Sequence, residues 1–144
     1  MQKLYYLLGL MLLIQLSAFM PAPTKNQLLS FNSAYLTGKN WKVDQLYLDS
    51  IRAFDNSFTS GRFTFTSDGK LTTTNGSQSL VRLWQANATQ NQIIIKNINT
   101  NVTEQVYSVL FLDASRFIYK VTVADSKTGK PVTMEVRLIA FTGS

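Results

Sequence analysis

Along most of this chain apolar and polar residues alternate in short runs separated by turn residues, which is the period of half-buried β-strands. Beyond Gly38 eight such runs follow one another, at 41–49, 62–66, 70–74, 80–85, 92–97, 104–113, 116–124 and 132–141. In the seventh, Phe117, Tyr119, Val121 and Val123 share a face opposite Arg116, Lys120 and Thr122, and in the eighth Met134, Val136, Leu138 and Ala140 share one. In the first, the apolar phase switches between Val43 and Leu46, which predicts a bulge or a strong bend. Ser67-Asp68-Gly69 and Asn75-Gly76 supply hairpin turns with a glycine for the positive-φ position. Asp113-Ala114-Ser115 is a tight connection, and 125–131 is rich in turn residues.

Short connections imply antiparallel neighbours, and no helical period runs through this region. The expected fold is all-β, as an up-and-down barrel or a sandwich. An eight-stranded closed barrel has room inside for side chains or one small ligand, and it leaves no exposed edge strand.

The N-terminal pattern is different. After Lys3, residues 4–19 are almost wholly apolar. This run of about 16 residues is short of the roughly 20 needed to cross a bilayer as a helix. It reads as a secretory signal peptide, with Ala18 or Ala22 at the cleavage site, and an uncleaved anchor is the alternative. The expected organisation is a signal at 1–22, a linker at 23–37 with a short helical or irregular stretch, and one β-domain at 38–144 that is exported to the periplasm or secreted.

Composition narrows the chemistry. The chain has no cysteine and no histidine. Disulfide staples, Ser-His-Asp and Cys-His catalysis, imidazole or thiolate metal sites and covalent c-type haem attachment are therefore excluded. The net charge of +6 becomes +5 without Lys3, and no basic block is present. That fits a solvated surface better than a nucleic-acid partner. The expectation is a protein that is not an enzyme and uses no cofactor.

The stretch 36–43 has a glycine shortly before a tryptophan at the first strand, Gly38 and Trp41. It is followed by a Phe-x-Phe-x-x-Asp-Gly hairpin at Phe63, Phe65, Asp68 and Gly69. In these features and in strand order from 36 to 141 the chain resembles small bacterial lipocalin-like (calycin-type) domains. It departs from their usual Gly-x-Trp spacing by one residue. The resemblance implies an eight-stranded antiparallel up-and-down barrel, cup-shaped, that binds a small apolar molecule. It also implies an arginine on the last strand against Trp41. Arg137 is the candidate, although alternation places it on the face opposite Met134, Val136 and Leu138.

Candidate ligand-binding residues are the aromatics Trp41, Phe54, Phe63, Phe65, Trp84, Tyr107, Phe117 and Tyr119, with Met134 as an adaptable filler. The same residues would equally serve to fill a small barrel, Trp41 above all, as a plug at one end. Arg82 shares a face with Leu80 and Trp84, so it is either an inward cation for an acidic ligand or an exposed residue beside a strand edge. The segment 50–61 is long for this chain. In lipocalin-like barrels the corresponding loop lies over the open mouth, and Ile51, Phe54 and Phe58 would give it an apolar underside. Asp44 or Asp49 could meet Glu135 if the first and last strands pair, as two facing carboxylates would require.

The expected function is thus an exported module that holds a small hydrophobic or amphipathic molecule. It would meet membrane only through an uncleaved N-terminus. The alternative is a structural or protein-interaction domain with a filled core. An outer-membrane barrel is disfavoured, because runs such as 70–74 are too short and too polar for a lipid-facing band.

Overall fold

The structure is a computed structural model that describes residues 31–53 and 60–141. The expected signal peptide, most of the linker and Phe54 lie outside the described residues. Nine strands form one antiparallel sheet: β1 (Asn40–Leu48), β2 (Ile51–Ala53), β3 (Arg62–Phe65), β4 (Lys70–Asn75), β5 (Gln78–Asn87), β6 (Gln92–Asn97), β7 (Thr103–Leu112), β8 (Arg116–Ala124) and β9 (Pro131–Phe141). From β3 to β9 each strand pairs with the next, and β1 pairs with both β3 and β9. The sheet therefore closes on itself as an eight-stranded barrel, with β2 attached outside that ring.

Closure rests on β1, which is paired along both edges. One edge meets β9 from Asn40 opposite Phe141 to Leu48 opposite Met134. The register slips by one residue between Val43 and Gln45. This is the bulge that the phase switch predicts, and it lets Trp41 and Leu46 both bury. The other edge is shared: Trp41 lies opposite Phe63 of β3, and Tyr47 lies opposite Arg52 of β2. The segment 50–61, expected to be a loop throughout, thus begins with a strand. Asp49 and Ser50 make the turn into it with φ of 46° and 71°. Asp49 is fastened to β9 by its own N–H to the Thr133 carbonyl (2.9 Å) and by its carboxylate, which accepts from the Thr133 N–H (3.0 Å).

The other turns follow their sequence chemistry. Gly69 has φ +83°, donates to the Thr66 carbonyl (3.1 Å) and accepts from the Trp84 N–H (2.8 Å), tying the β3–β4 hairpin to β5. Asp113 accepts from the N–H groups of Ser115 and Arg116 (2.8 and 2.7 Å). Asp125 accepts from those of Lys127 and Thr128 (2.9 and 2.6 Å). These bonds, led by Ser115 and Thr128 respectively, hold both carboxyls below their ordinary range.

The core occupies the barrel interior. Trp41, Phe65, Phe117, Leu71, Ile93, Ile95 and Leu138 are fully buried, with the aromatic rings packed edge to face. Burial of each such side chain contributes about 1.5–3 kcal/mol. Phe31 and Leu36, from the end of the segment expected to be a linker, belong to this core. A 3-10 turn, Ser33–Tyr35, brings them in, with the Asn32 side chain accepting from the Ala34 N–H (3.0 Å). The Leu36 carbonyl then accepts from Trp41 Nε1 (3.0 Å), so the indole's one polar atom is satisfied where it is buried.

Candidate functional site

Barrel filling is uneven. At the end that holds the Gly69 and Asp113 turns, large side chains meet across the axis. Trp41 and Phe117 have ring centroids 6.0 Å apart, Phe65 and Phe117 6.1 Å, and Phe65 and Trp84 5.5 Å. Trp84 Nε1 donates to the Thr66 carbonyl (3.1 Å). Lys39 covers this end, its Nζ 5.6 Å from the Trp41 ring centroid and 2.9 Å from the Ala114 carbonyl oxygen. Toward the β4–β5 hairpin the inward residues become smaller, and a cavity of about 680 Å³ opens between the strands. Its apolar wall includes Val43, Leu46, Phe63, Val121, Met134 and Val136. Thr74, Asn75, Gln78 and Ser79 form a polar rim.

The floor between the filled and hollow halves is a tyrosine pair. Tyr107 and Tyr119 stack with centroids 4.2 Å apart and planes 20° from parallel, and Phe117 packs beneath Tyr119 at 4.9 Å. The Tyr119 hydroxyl is hydrogen bonded to that of Tyr107, which donates to Gln105 Oε1 (3.0 Å). Burial pushes the Tyr107 phenol up to about 12 and that of Tyr119 well above its ordinary value. Both rings are therefore neutral donors throughout the physiological range.

Arg82 also faces the cavity, and it is not a free cation. Its Nε is 2.6 Å from Glu104 Oε2, and Asn97 Nδ2 donates to the other carboxylate oxygen (2.8 Å). The Asn97 bond first, and the Arg82 bond second, keep the Glu104 carboxyl below its usual range. The three side chains come together because β6 and β7 slip in register between Ile95 and Lys96.

Of the residues singled out in the sequence, Phe63, Arg82, Tyr107, Tyr119 and Met134 line the cavity. Trp41, Phe65, Trp84 and Phe117 are gathered in the filled half instead. The structure does not bring Arg137 to Trp41. Arg137 lies outside, over the Tyr47 ring at 4.6 Å, with hydrogen bonds to Glu135 (2.8 and 2.9 Å) and to Gln45 (3.3 Å), as strict alternation on β9 requires. Glu135 is paired with Arg137 there, and the Asp49 carboxylate is held by the Thr133 N–H. Among the described residues no group of three or more acidic side chains is placed to hold a metal. No helix among them is long and apolar enough to cross a membrane. Sequence reasoning missed the rim residues and Gln105. The signal for Gln105 was its place two residues before Tyr107, on the same face of one strand.

No family model and no curated protein matches this chain. It is similar to a DUF4847 family protein from Bacteroides vulgatus ATCC 8482. That crystal structure superposes with a TM-score of 0.47 at 12% identity, covering 72% of this chain and 95% of the other.

Proposed function

We propose that this chain is a lipocalin-like binding module that holds one small hydrophobic or amphipathic molecule in the hollow half of its barrel. One observation carries the reading: one half of the interior is filled by interlocking aromatics, while the other half is a cavity of about 680 Å³. That size is within the roughly 300–1,000 Å³ of small-molecule sites, and so is a largely apolar wall with a few convergent polar groups. Tyr107, Tyr119 and Gln105 supply those groups. The apolar run at 4–19 and its length support export, with the barrel acting outside the cytoplasm. Without histidine or cysteine, and with its buried tyrosines held neutral, the cavity is suited to holding a molecule rather than transforming it.

Native mass spectrometry of the protein purified without detergent tests this. The expected result is a reproducible added mass of a few hundred daltons, lost under gentle activation. Filling the cavity by Val136→Phe should abolish it while the folded barrel persists. A mass that stays that of the bare chain after incubation with a lipid and metabolite extract would overturn the proposal. It would favour instead a protein-interaction role, for which Val106, Leu110 and Phe111, exposed on the outside of β7, are the supporting observation.

A further inference from the structure

The β7–β8 ladder is interrupted part-way along two long strands. β7 and β8 pair from Leu112 opposite Phe117 to Ser108 opposite Lys120, and there the ladder stops. Both strands continue, β7 back to Thr103 and β8 on to Ala124. Residues 103–107 and 121–124 thus run alongside each other without ladder pairs, although each keeps its partner on the far side, β6 and β9 respectively. A cleft of about 390 Å³ occupies this gap. Gln105 and Val121 line both the cleft and the main cavity, so these two residues stand between the two spaces.

The cleft differs from the barrel cavity in chemistry. Its lining includes Thr103, Ser108 and Thr122, three hydroxyl side chains, with the amides of Gln92 and Gln105. Two charged residues border it, and neither offers a buried, unpaired charge. Glu104 spends its carboxylate on Arg82 and Asn97, and Lys120 faces Glu135 across 4.0 Å on the outer surface. Backbone N–H and C=O groups along the two parted strand edges are open to solvent, and a ligand carrying both donors and acceptors can take the place of water there. An anionic head would find only the exposed, solvent-screened Lys120 there, and a cationic head would find no uncommitted carboxylate.

We propose that the gap between β7 and β8 is a second subsite that holds the uncharged, hydroxyl-bearing head of a single-chain amphiphile whose tail lies in the barrel. The inference rests on the reading of the barrel as a binding module and names the ligand class that module takes. The head leaves through the side of the barrel, past Gln105 and Val121, rather than through the rim at Asn75 and Gln78.

A monoacylglycerol carrying a photoactivatable diazirine on its glycerol head, and the same lipid with the diazirine at the tail end, test the proposal on the intact protein. After irradiation, peptide mass spectrometry should place the head adduct on Ser108, Lys120 or Thr122 and the tail adduct on cavity residues such as Val136 or Met134. Competition should show the neutral lipid binding about tenfold more tightly than the fatty acid of equal chain length, the discrimination expected when a charge is left without a partner. Introducing a carboxylate by Thr122→Asp should leave the tail adduct in place and reduce the head adduct at the cleft. A head adduct on Asn75, Gln78 or Ser79 with the tail still in the cavity would overturn the side subsite and leave the binding module standing. Equal or tighter binding of the fatty acid would overturn the head chemistry. Absence of both adducts, with no competition by any amphiphile, would overturn the binding module itself and this subsite with it.

Discussion

Truncating one aromatic in the filled half and one apolar residue in the hollow half should have unequal costs, and the difference measures how real the division is. Phe117 is fully buried and contacts three rings, at 6.0 Å (Trp41), 6.1 Å (Phe65) and 4.9 Å (Tyr119). Phe117→Ala removes a side chain whose loss from a packed core costs about 3–5 kcal/mol. Aromatic pairs are worth roughly 0.5–1.5 kcal/mol beyond their area, so this variant belongs at the upper end, at about 5 kcal/mol. Met134 is half-buried and borders the cavity. Atoms on its cavity side have few neighbours to lose, since a void contributes no dispersion contacts. Met134→Ala should therefore cost about 1–2 kcal/mol, below the usual range for a buried methionine. Urea unfolding followed by far-ultraviolet circular dichroism reads both. With a slope of about 2 kcal/mol per M, the midpoints should fall by about 2.5 M and by about 0.5–1 M. A Met134→Ala midpoint lowered as much as that of Phe117→Ala would mean that the hollow half is packed like the filled half, and the reasoning for a ligand cavity would fail.

Other perturbations address single features. Ser50→Gly should stabilise the barrel by about 0.5–1 kcal/mol, because glycine adopts φ 71° without the strain that a side chain brings; a lowered urea midpoint would refute strain at that turn. Gly69→Ala should destabilise by about 1 kcal/mol, since φ is +83°, a conformation that an added Cβ strains; an unchanged thermal midpoint would contradict it. Tyr107 holds its proton up to about 12, whereas an unfolded tyrosine releases it near 10. The stabilisation it provides, about 3 kcal/mol, is complete below pH 10 and is lost as pH rises from 10 to about 12, because the unfolded chain sheds a proton that the folded chain keeps. Phenolate absorbance should show two tyrosines that ionise only as the barrel unfolds; all of them titrating together near pH 10 in a folded protein would refute it. Finally, Asn97→Ala and Arg82→Met should each raise the Glu104 carboxyl toward its ordinary value, the first by more, as followed by NMR titration; no movement in either variant would show that these side chains do not hold the carboxylate in solution.

Much of the fold was legible because alternation reports local geometry. The two faces of β8 and β9, the slip in β1 and the outward direction of Arg137 all follow from the period of two and its one interruption. β2 was hidden because three residues are too few to show a period, and its turn uses Asp-Ser in place of the usual Asn-Gly. The division of the aromatics was not legible. Trp84 and Arg82 share one face of β5, yet only Arg82 lines the cavity, because height along the barrel depends on how the strands are staggered. Glu104 was invisible as the partner of Arg82, since their meeting across β6 depends on a register slip between β6 and β7. The buried Phe31 and Leu36 were missed because a segment outside the sheet carries no period at all.

The pairing of β1 with β9 sets when this barrel can become a barrel. The strand that closes the ring follows the other eight along the chain: Asn40 must wait for Phe141 before its edge is satisfied. Every hairpin from β3 to β9 can zip locally, but the seam brings together residues about a hundred positions apart and carries a high cost in loop entropy. Folding should therefore be limited by ring closure, in the millisecond-to-second range of β-proteins dominated by distant contacts, and only once β9 is free to reach β1. Until then the unpaired edges of β1 and β9 are open to other chains, and a chaperone that keeps the growing protein apart from its neighbours protects that seam.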